Sequence, residues 1–201
     1  MMLAIRSVLS YPRIYRTFWN VIGGPRFIKI FVEEYVRPQP GARVLDIGCG
    51  PGTTVPYFPH VEYVGFDISP EYIESARRRF PHATFVCERI SHYRLPQSSY
   101  FDVVLALGIL HHLDDAEAQQ LCEIAHHALK PGGKLLTFDG VLTRNQSHLA
   151  RYLVSRDRGE HVRNEEGYVQ IASRVFPNAR STVRHDLLWI PYTHIIMECV
   201  R

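Results

Sequence analysis

The feature that most narrows the fold is a run of seven residues, Phe101-Asp102-Val103-Val104-Leu105-Ala106-Leu107, apolar at all but one position. A strand with one face in water alternates apolar and polar side chains, so an unbroken apolar run fits a strand covered on both faces. Residues 44–47, 61–66, 134–138 and, more weakly, 84–87 are further β-rich runs. Helical segments lie between them. One is expected over residues 70–80, with Ser69 as its cap and Pro70 at its first position. Another is expected over 115–129, ending at Lys130-Pro131-Gly132-Gly133. Strands alternating with helices imply βαβ units, and hence an α/β fold with a doubly wound, mostly parallel sheet.

The two ends differ from this core. Residues 11–36 carry Ile14, Phe18, Val21, Phe27, Ile30 and Phe31 at helical spacing, interrupted at Gly23-Gly24-Pro25 and closed by Pro38 and Pro40. Two helices with a sharp turn are expected there. Residues 145–176 again read as helical, broken around Arg158-Gly159-Glu160. Residues 179–200 hold two β-rich runs separated near Trp189-Ile190-Pro191, which suits an antiparallel hairpin finishing the sheet. The 201 residues therefore read as one domain: an N-terminal helical cap (1–40), a core (41–140), a helical cap insertion (141–178) and a C-terminal hairpin (179–201).

Composition excludes several classes. A domain of this length buries a core without disulfides or a structural metal. Its four cysteines are scattered, with no CxxC pair and no zinc spacing, so reduced thiols and no metal are expected. The formal charge is only +3 and the longest basic run is Arg77-Arg78-Arg79, which does not indicate a nucleic-acid partner. No apolar stretch approaches the roughly 20 residues of a membrane-spanning helix, and the apolar start is too short for a signal peptide. A cytoplasmic protein without membrane insertion is expected; an oligomer is possible but not readable.

Chemistry enters at Asp46-Ile47-Gly48-Cys49-Gly50-Pro51-Gly52, directly after a strand. Three glycines let backbone turn tightly and approach a ligand without Cβ interference, a property several nucleotide-binding folds share. Asp67, at the end of the next strand, sharpens the reading. Neighbouring parallel strands open their carboxyl ends into one crevice, where a carboxylate can accept hydrogen bonds from both ribose hydroxyls; the alternative is a turn residue ahead of Ser69-Pro70. The chain has no GxxxxGK[ST], and Gly48-x-Gly50-x-Gly52 lacks the last step of GxGxxG. Asp46 would repel a phosphate and suit an ammonium. A cofactor with a nucleoside at one end and an amino acid at the other fits; a dinucleotide does not.

Residues 44–52 (VLDIGCGPG) resemble the first motif of the class I S-adenosylmethionine-dependent methyltransferases, particularly the small-molecule, ubiquinone-type group. The resemblance continues through 63–69 (YVGFDIS), 98–115 (SSYFDVVLALGILHHLDD) and 129–136 (LKPGGKLL). It implies a Rossmann-like seven-stranded sheet with an antiparallel C-terminal strand and S-adenosyl-L-methionine as cofactor. Carried over position by position, it places Gly48, Cys49, Gly50 and Gly52 against the methionine portion, with Asp46 at its ammonium. It places Asp67 on the ribose, Ile68 on the adenine, and Leu107 and Gly108 near the methyl group. Glu88, followed by Arg89, stands where the family has an acid for the adenine amino group; a solvated Glu88–Arg89 pair is the alternative.

For the acceptor there are three clusters. His111 and His112 follow the fourth strand, where a general base would stand; alternatively one packs internally while Asp114-Asp115 caps the next helix. Arg158, His161 and Arg163 belong to a charged segment able to grip an anion, or to a solvated connector. Tyr15, in the aromatic N-terminal stretch, is a candidate substrate contact, and either it or Arg26 a reach for the methionine carboxylate. The leading expectation is a methyltransferase acting on an oxygen or nitrogen of a small-molecule acceptor. A catalytically silent S-adenosylmethionine-binding partner protein and an NAD-dependent dehydrogenase are the alternatives.

Overall fold

A computed structural model describes residues 11–89, 98–156 and 160–201. Helix α1 (Pro12–Val21) and helix α2 (Gly24–Phe31) come first, and a π-helical turn (Val32–Val36) ends the second. Then follow β1 (Arg43–Ile47), β2 (Glu62–Asp67), α3 (Pro70–Arg79), β3 (Thr84–Cys87), β4 (Phe101–Leu107), a 3-10 turn (Leu110–His112), α4 (Asp115–Ala128) and β5 (Leu129–Gly140). Helices α5 (His148–Ser155) and α6 (Glu165–Ser173) precede the hairpin of β6 (Arg180–Arg184) and β7 (His194–Val200).

The seven strands form one sheet in the order β3-β2-β1-β4-β5-β7-β6. β1 to β5 run parallel, and β7 is antiparallel to both β5 and β6. This is the mixed, Rossmann-like sheet that the strand–helix alternation implied. The expected run over residues 101–107 is its central strand, with Val104 and Leu105 fully buried on opposite faces. On one face Leu45, Val104 and Ala106 meet Leu121 and Ala125 of α4 and Ile171 of α6. On the other, Val44, Leu105 and Leu136 meet Phe27 and Phe31 of α2 and Ile73 of α3. Among the described residues no helix is long and apolar enough to cross a membrane.

Helix starts follow side-chain chemistry. Ser69 accepts from the Tyr72 N–H at 3.3 Å. Asp114 and Glu117 form a reciprocal capping box. Ser147 and Asn164 cap α5 and α6. One boundary differs from the sequence reading. α4 ends at Ala128, and Leu129 already opens β5, which pairs with Phe101 before a bulge. Lys130-Pro131-Gly132-Gly133 is therefore not a helix cap. It is an irregular stretch of strand held from the chain's far end: Gly132 N–H donates to the Arg201 carbonyl at 2.9 Å, and Arg201 N–H donates to the Gly133 carbonyl at 3.0 Å. A partner 70 residues away in sequence overrides the local glycine signal.

Leu105 is completely buried on β4. Leu105→Ala should lower unfolding free energy by about 2–5 kcal/mol, read from urea denaturation; a smaller loss would place the core elsewhere.

Candidate functional site

The strand order reverses between β1 and β4, and there a parallel sheet leaves a crevice at its carboxyl edge. A cavity of about 490 Å³ occupies this position. β1 delivers Asp46 and Gly48 to it, β4 delivers Leu107 and Gly108, the 3-10 turn brings His111 and His112, and β5 brings Phe138 and Asp139. Tyr15 and Trp19 of α1, and Tyr152 of α5, line its outer part. The cavity thus gathers the catalytic candidates His111 and His112, much of the glycine loop, and Tyr15.

Gly48 and Gly50 sit at φ 76° and 54°, a left-handed backbone that side chains disfavour. A Cβ on Gly50 would meet nothing within 4 Å, so its Cα side is open. The N–H groups of this loop, however, turn inward. Those of Gly48 and Cys49 donate to the Phe66 carbonyl at 2.8 and 2.9 Å, that of Gly52 donates to the Cys49 carbonyl at 3.1 Å, and that of Gly50 donates to Asp67 Oδ2 at 2.9 Å. A phosphate cradle aims such donors at its ligand. Here they are spent within the protein, and of the three glycines only Gly50 has an open Cα side, which supports the reading against a dinucleotide.

Asp46 is 2% exposed. Its Oδ2 accepts from Thr54 Oγ1 at 2.8 Å and from the Tyr63 hydroxyl. Burial pushes its pKa up from 3.8 to about 6 against the lowering pull of those two hydroxyls. A buried carboxyl that lacks a cation is stabilised by one. The donor set thus fits an amino acid's ammonium beside Asp46 and fits no phosphate.

His111 is also buried. Its Nδ1 lies 2.8 Å from Asp139 Oδ1, which accepts the His111 backbone N–H as well, at 3.1 Å. Asp139 Oδ2 is buried with no hydrogen-bond partner, and burial raises the Asp139 pKa against the lowering effect of His111. His112 is exposed, its ring 4.2 Å from that of His111. Behind them a stack of rings forms one wall: Phe27 on Phe138 at 3.9 Å, Phe138 on His194 at 4.3 Å, and His194 on Tyr192 at 4.6 Å. Burial drives the His194 pKa down to about 3, so it is neutral and behaves as a ring of the wall.

Other candidates lie apart from the cavity. Asp67, Ile68, Glu88 and Arg89 cluster beyond the ends of β2 and β3. Asp67 Oδ1 accepts from Ser69 N–H at 2.9 Å, and the Glu88 N–H donates to the Asp67 carbonyl at 3.1 Å. Asp67 therefore fixes both its own turn and the glycine loop. Ile68 is 63% exposed, and Glu88 and Arg89 are exposed. Gly52 stands over Phe80, outside the cavity. Arg163 donates to Asp115 Oδ1 at 2.7 Å and to the Leu110 and Leu113 carbonyls at 3.0 and 2.8 Å, while His161 N–H donates to the His111 carbonyl. These two clasp the turn that carries His111 and do not reach the cavity. Arg158 lies outside the described residues. Arg26 is turned away, donating to the Asp186 and Leu187 carbonyls.

Arg156, from the same charged segment, does line the cavity. So does Asp139, which the sequence reading did not single out. Its signal was available: an acid at the carboxyl end of a strand in a parallel sheet, the same logic that picked Asp67. His194 gave no such signal, because it enters through the antiparallel strand. Among the described residues no His, Cys, Asp and Glu group could hold a metal ion.

Fold and site thus define an α/β domain built for a nucleoside carrying an amino acid. Residues 44–133 match a family described as a methyltransferase domain. Trans-aconitate 2-methyltransferase of Variovorax paradoxus is 34% identical over 131 residues, covering 58% of this chain and 48% of that protein. A TehB-like SAM-dependent methyltransferase from Corynebacterium glutamicum superposes with a TM-score of 0.67 at 16% identity, covering 94% and 98% of the two chains. Phosphoethanolamine N-methyltransferase 2 of Haemonchus contortus, solved with phosphomonomethylethanolamine and S-adenosylhomocysteine, gives 0.68 at 20% identity over 86% and 52%. Residues 44–133 thus carry a methyltransferase domain, and in sequence and fold the chain is similar to S-adenosylmethionine-dependent methyltransferases, enzymes whose methyl donor is S-adenosyl-L-methionine. It spans about half the length of the curated relatives it matches.

Two outcomes follow. Folded Asp46 holds its proton more tightly than the unfolded chain does, so stability falls as pH rises from about 4 to about 6. Asp46→Asn should therefore gain about 2–3 kcal/mol relative to the unliganded parent between pH 4 and pH 7, measured by urea unfolding. Parallel pH curves would rule the titration out. Asp67→Ala should weaken S-adenosylhomocysteine binding by about 1–3 kcal/mol in calorimetric titration. Unchanged affinity would confine Asp67 to its backbone contacts.

Proposed function

We propose that the protein transfers the methyl group of S-adenosyl-L-methionine to an oxygen or nitrogen of a small-molecule acceptor. The observation that carries this reading is the buried His111–Asp139 pair on the cavity wall, beside the Leu107-Gly108 strand end. When bound, the cofactor supplies a methyl group already activated by a positively charged sulfur. Asp46 would hold its ammonium and Asp67 its ribose, with Ile68 against the adenine and Glu88 within reach of the adenine amino group.

The residues of the chain then have three tasks. The first is to exclude water, which the ring stack and the α1 aromatics perform. The second is to align the acceptor, because displacement at a methyl carbon needs an in-line approach. The third is to take the acceptor's proton. With Nδ1–H donating to Asp139, the lone pair of His111 resides on Nε2, where it can accept a proton from a hydroxyl or amine. Asp139 orients the ring and stabilises the imidazolium that results, as an ionised carboxyl with one unpartnered oxygen favours a positive neighbour. His161 and Arg163 contribute by fixing the turn.

The cavity favours an acceptor with little charge. Among the described residues that line it, Arg156 is the one arginine or lysine, and the His194 ring in its wall is neutral. A tricarboxylate or a phosphobase, the acceptors in the names of two relatives, would need more positive charge. A ring or chain of mostly apolar character bearing one ionisable hydroxyl or amine fits the wall better.

His111→Gln and Asp139→Asn should each lower the rate of labelled-methyl transfer by about 10²–10⁴-fold, with S-adenosylhomocysteine affinity within threefold of the parent. Full activity in His111→Gln would remove the base from the reaction. Cofactor binding with no transfer to any acceptor in a metabolite extract would favour the silent binding protein instead.

A further inference from the structure

Helix α1 buries none of its ten residues, yet it is strongly apolar on two adjacent stripes. The inner stripe, Tyr15, Trp19 and Ile22, faces the cavity, and Trp19 packs edge-on against Phe27 at 5.9 Å. The outer stripe, Tyr11, Ile14 and Val21 with Phe18 at the cavity edge, is exposed, Tyr11 to 62% and Val21 to 67%. Nothing among the described residues explains a second apolar stripe on so small a helix.

The stripe extends beyond α1. Trp189 is 68% exposed, and its N–H donates to the Ile22 carbonyl at 2.9 Å, which places it at the end of the stripe. Across the cavity, α5 exposes Leu149 and Tyr152. Phe18 and Tyr152 line the same cavity, so the two helices are opposite parts of one rim.

Charge is distributed to match. Residues 11–22 contain Arg13 and Arg16 and no acid, and residues 140–156 contain Arg144, Arg151 and Arg156 and no acid. Against a chain total of only +3, the rest of the molecule is net negative. The segments carrying α1 and α5 are thus basic and apolar together, while the rest of the chain has a small net negative charge.

We infer that this rim is a docking surface for an anionic lipid bilayer, with the outer stripe of α1 and Trp189 in the headgroup boundary and the flanking arginines on the phosphates. Short helices of basic and aromatic character lie in this way, in the plane of the interface and not across it. Each arginine near an anionic surface adds attraction, and tryptophan suits the boundary because one edge of the ring is apolar and the other donates a hydrogen bond. Two other occupants fit less well. A nucleic acid would use the arginines, but Val21, Ile14 and Leu149 have nothing to offer a phosphate backbone. A second copy in a two-fold contact would set this basic rim against itself. Docking would turn the cavity mouth toward the lipid, where an apolar acceptor partitions. This surface does not depend on methyl transfer, and vesicle binding is measured without activity.

The full chain would be centrifuged with vesicles of phosphatidylglycerol and phosphatidylcholine, and with vesicles of phosphatidylcholine alone. Binding to the anionic vesicles is expected, tenfold or more above the neutral ones, and weakened by about 0.5 M salt. The double variants Val21→Ser/Trp189→Ser and Arg13→Glu/Arg151→Glu should each lose tenfold or more of it. Both should keep the parent's circular dichroism and S-adenosylhomocysteine affinity, neither pair lying in the cofactor site. Four results would overturn the inference: no vesicle binding; equal binding to both vesicle types; binding that both folded double variants retain; or, with vesicles refused, either capture of a structured RNA or a dimer that Val21→Ser/Trp189→Ser dissociates.

Discussion

Asp46 and Asp139 are buried at the ends of β1 and β5, and among the described residues neither is paired with a lysine or an arginine. Removing a carboxyl group from water without a cation is unfavourable, and such a group either keeps its proton or is held by donors. Here both things happen. Asp46 is raised toward neutrality while Thr54 and Tyr63 donate to it, and Asp139 is raised while the backbone N–H and ring Nδ1 of His111 share one of its oxygens. Much of the site's chemistry follows from these two acids. On the proposed function they make the cavity receptive to positive charge at two places, one suited to a ligand's ammonium and one to a histidine that gains a proton.

The sheet sets these positions. Because β1, β4 and β5 are parallel neighbours, their carboxyl ends open on the same side, and the reversal of strand order at β1 and β4 leaves the crevice uncovered by a crossover helix. The core on both faces fixes the strands against sliding. The antiparallel β7 then adds what a purely parallel sheet could not: it brings His194 to the crevice edge, stacked on Phe138, from the opposite chain direction. Helices α1 and α5 supply the outer wall, where apolar and basic residues stand together.

The segment after α5 shows how function divides along a short stretch. Arg156 lines the cavity, whereas Arg163, seven residues on, has its guanidinium bound to Asp115 and to two carbonyls of the turn that carries His111. Both are arginines in a charged run. Their roles differ because each is held by different neighbours, and no local property of the sequence registers which neighbours those are.

What the sequence determined by itself is whatever rests on local chemistry and on strand periodicity. The unbroken apolar run at 101–107 required a covered central strand, the three glycines required a tightly turned loop, and Asp46 with Asp67 raised the expectation of a nucleoside joined to an amino acid. The tertiary structure decided what depends on residues far apart in the chain. Leu129 became a strand because Phe101 lay beside it, Asp139 became the partner of His111 across 28 residues, and Phe18 met Tyr152 at one cavity mouth. Periodicity reports which face of an element is buried; it carries no information about which distant side chain is waiting on the other side.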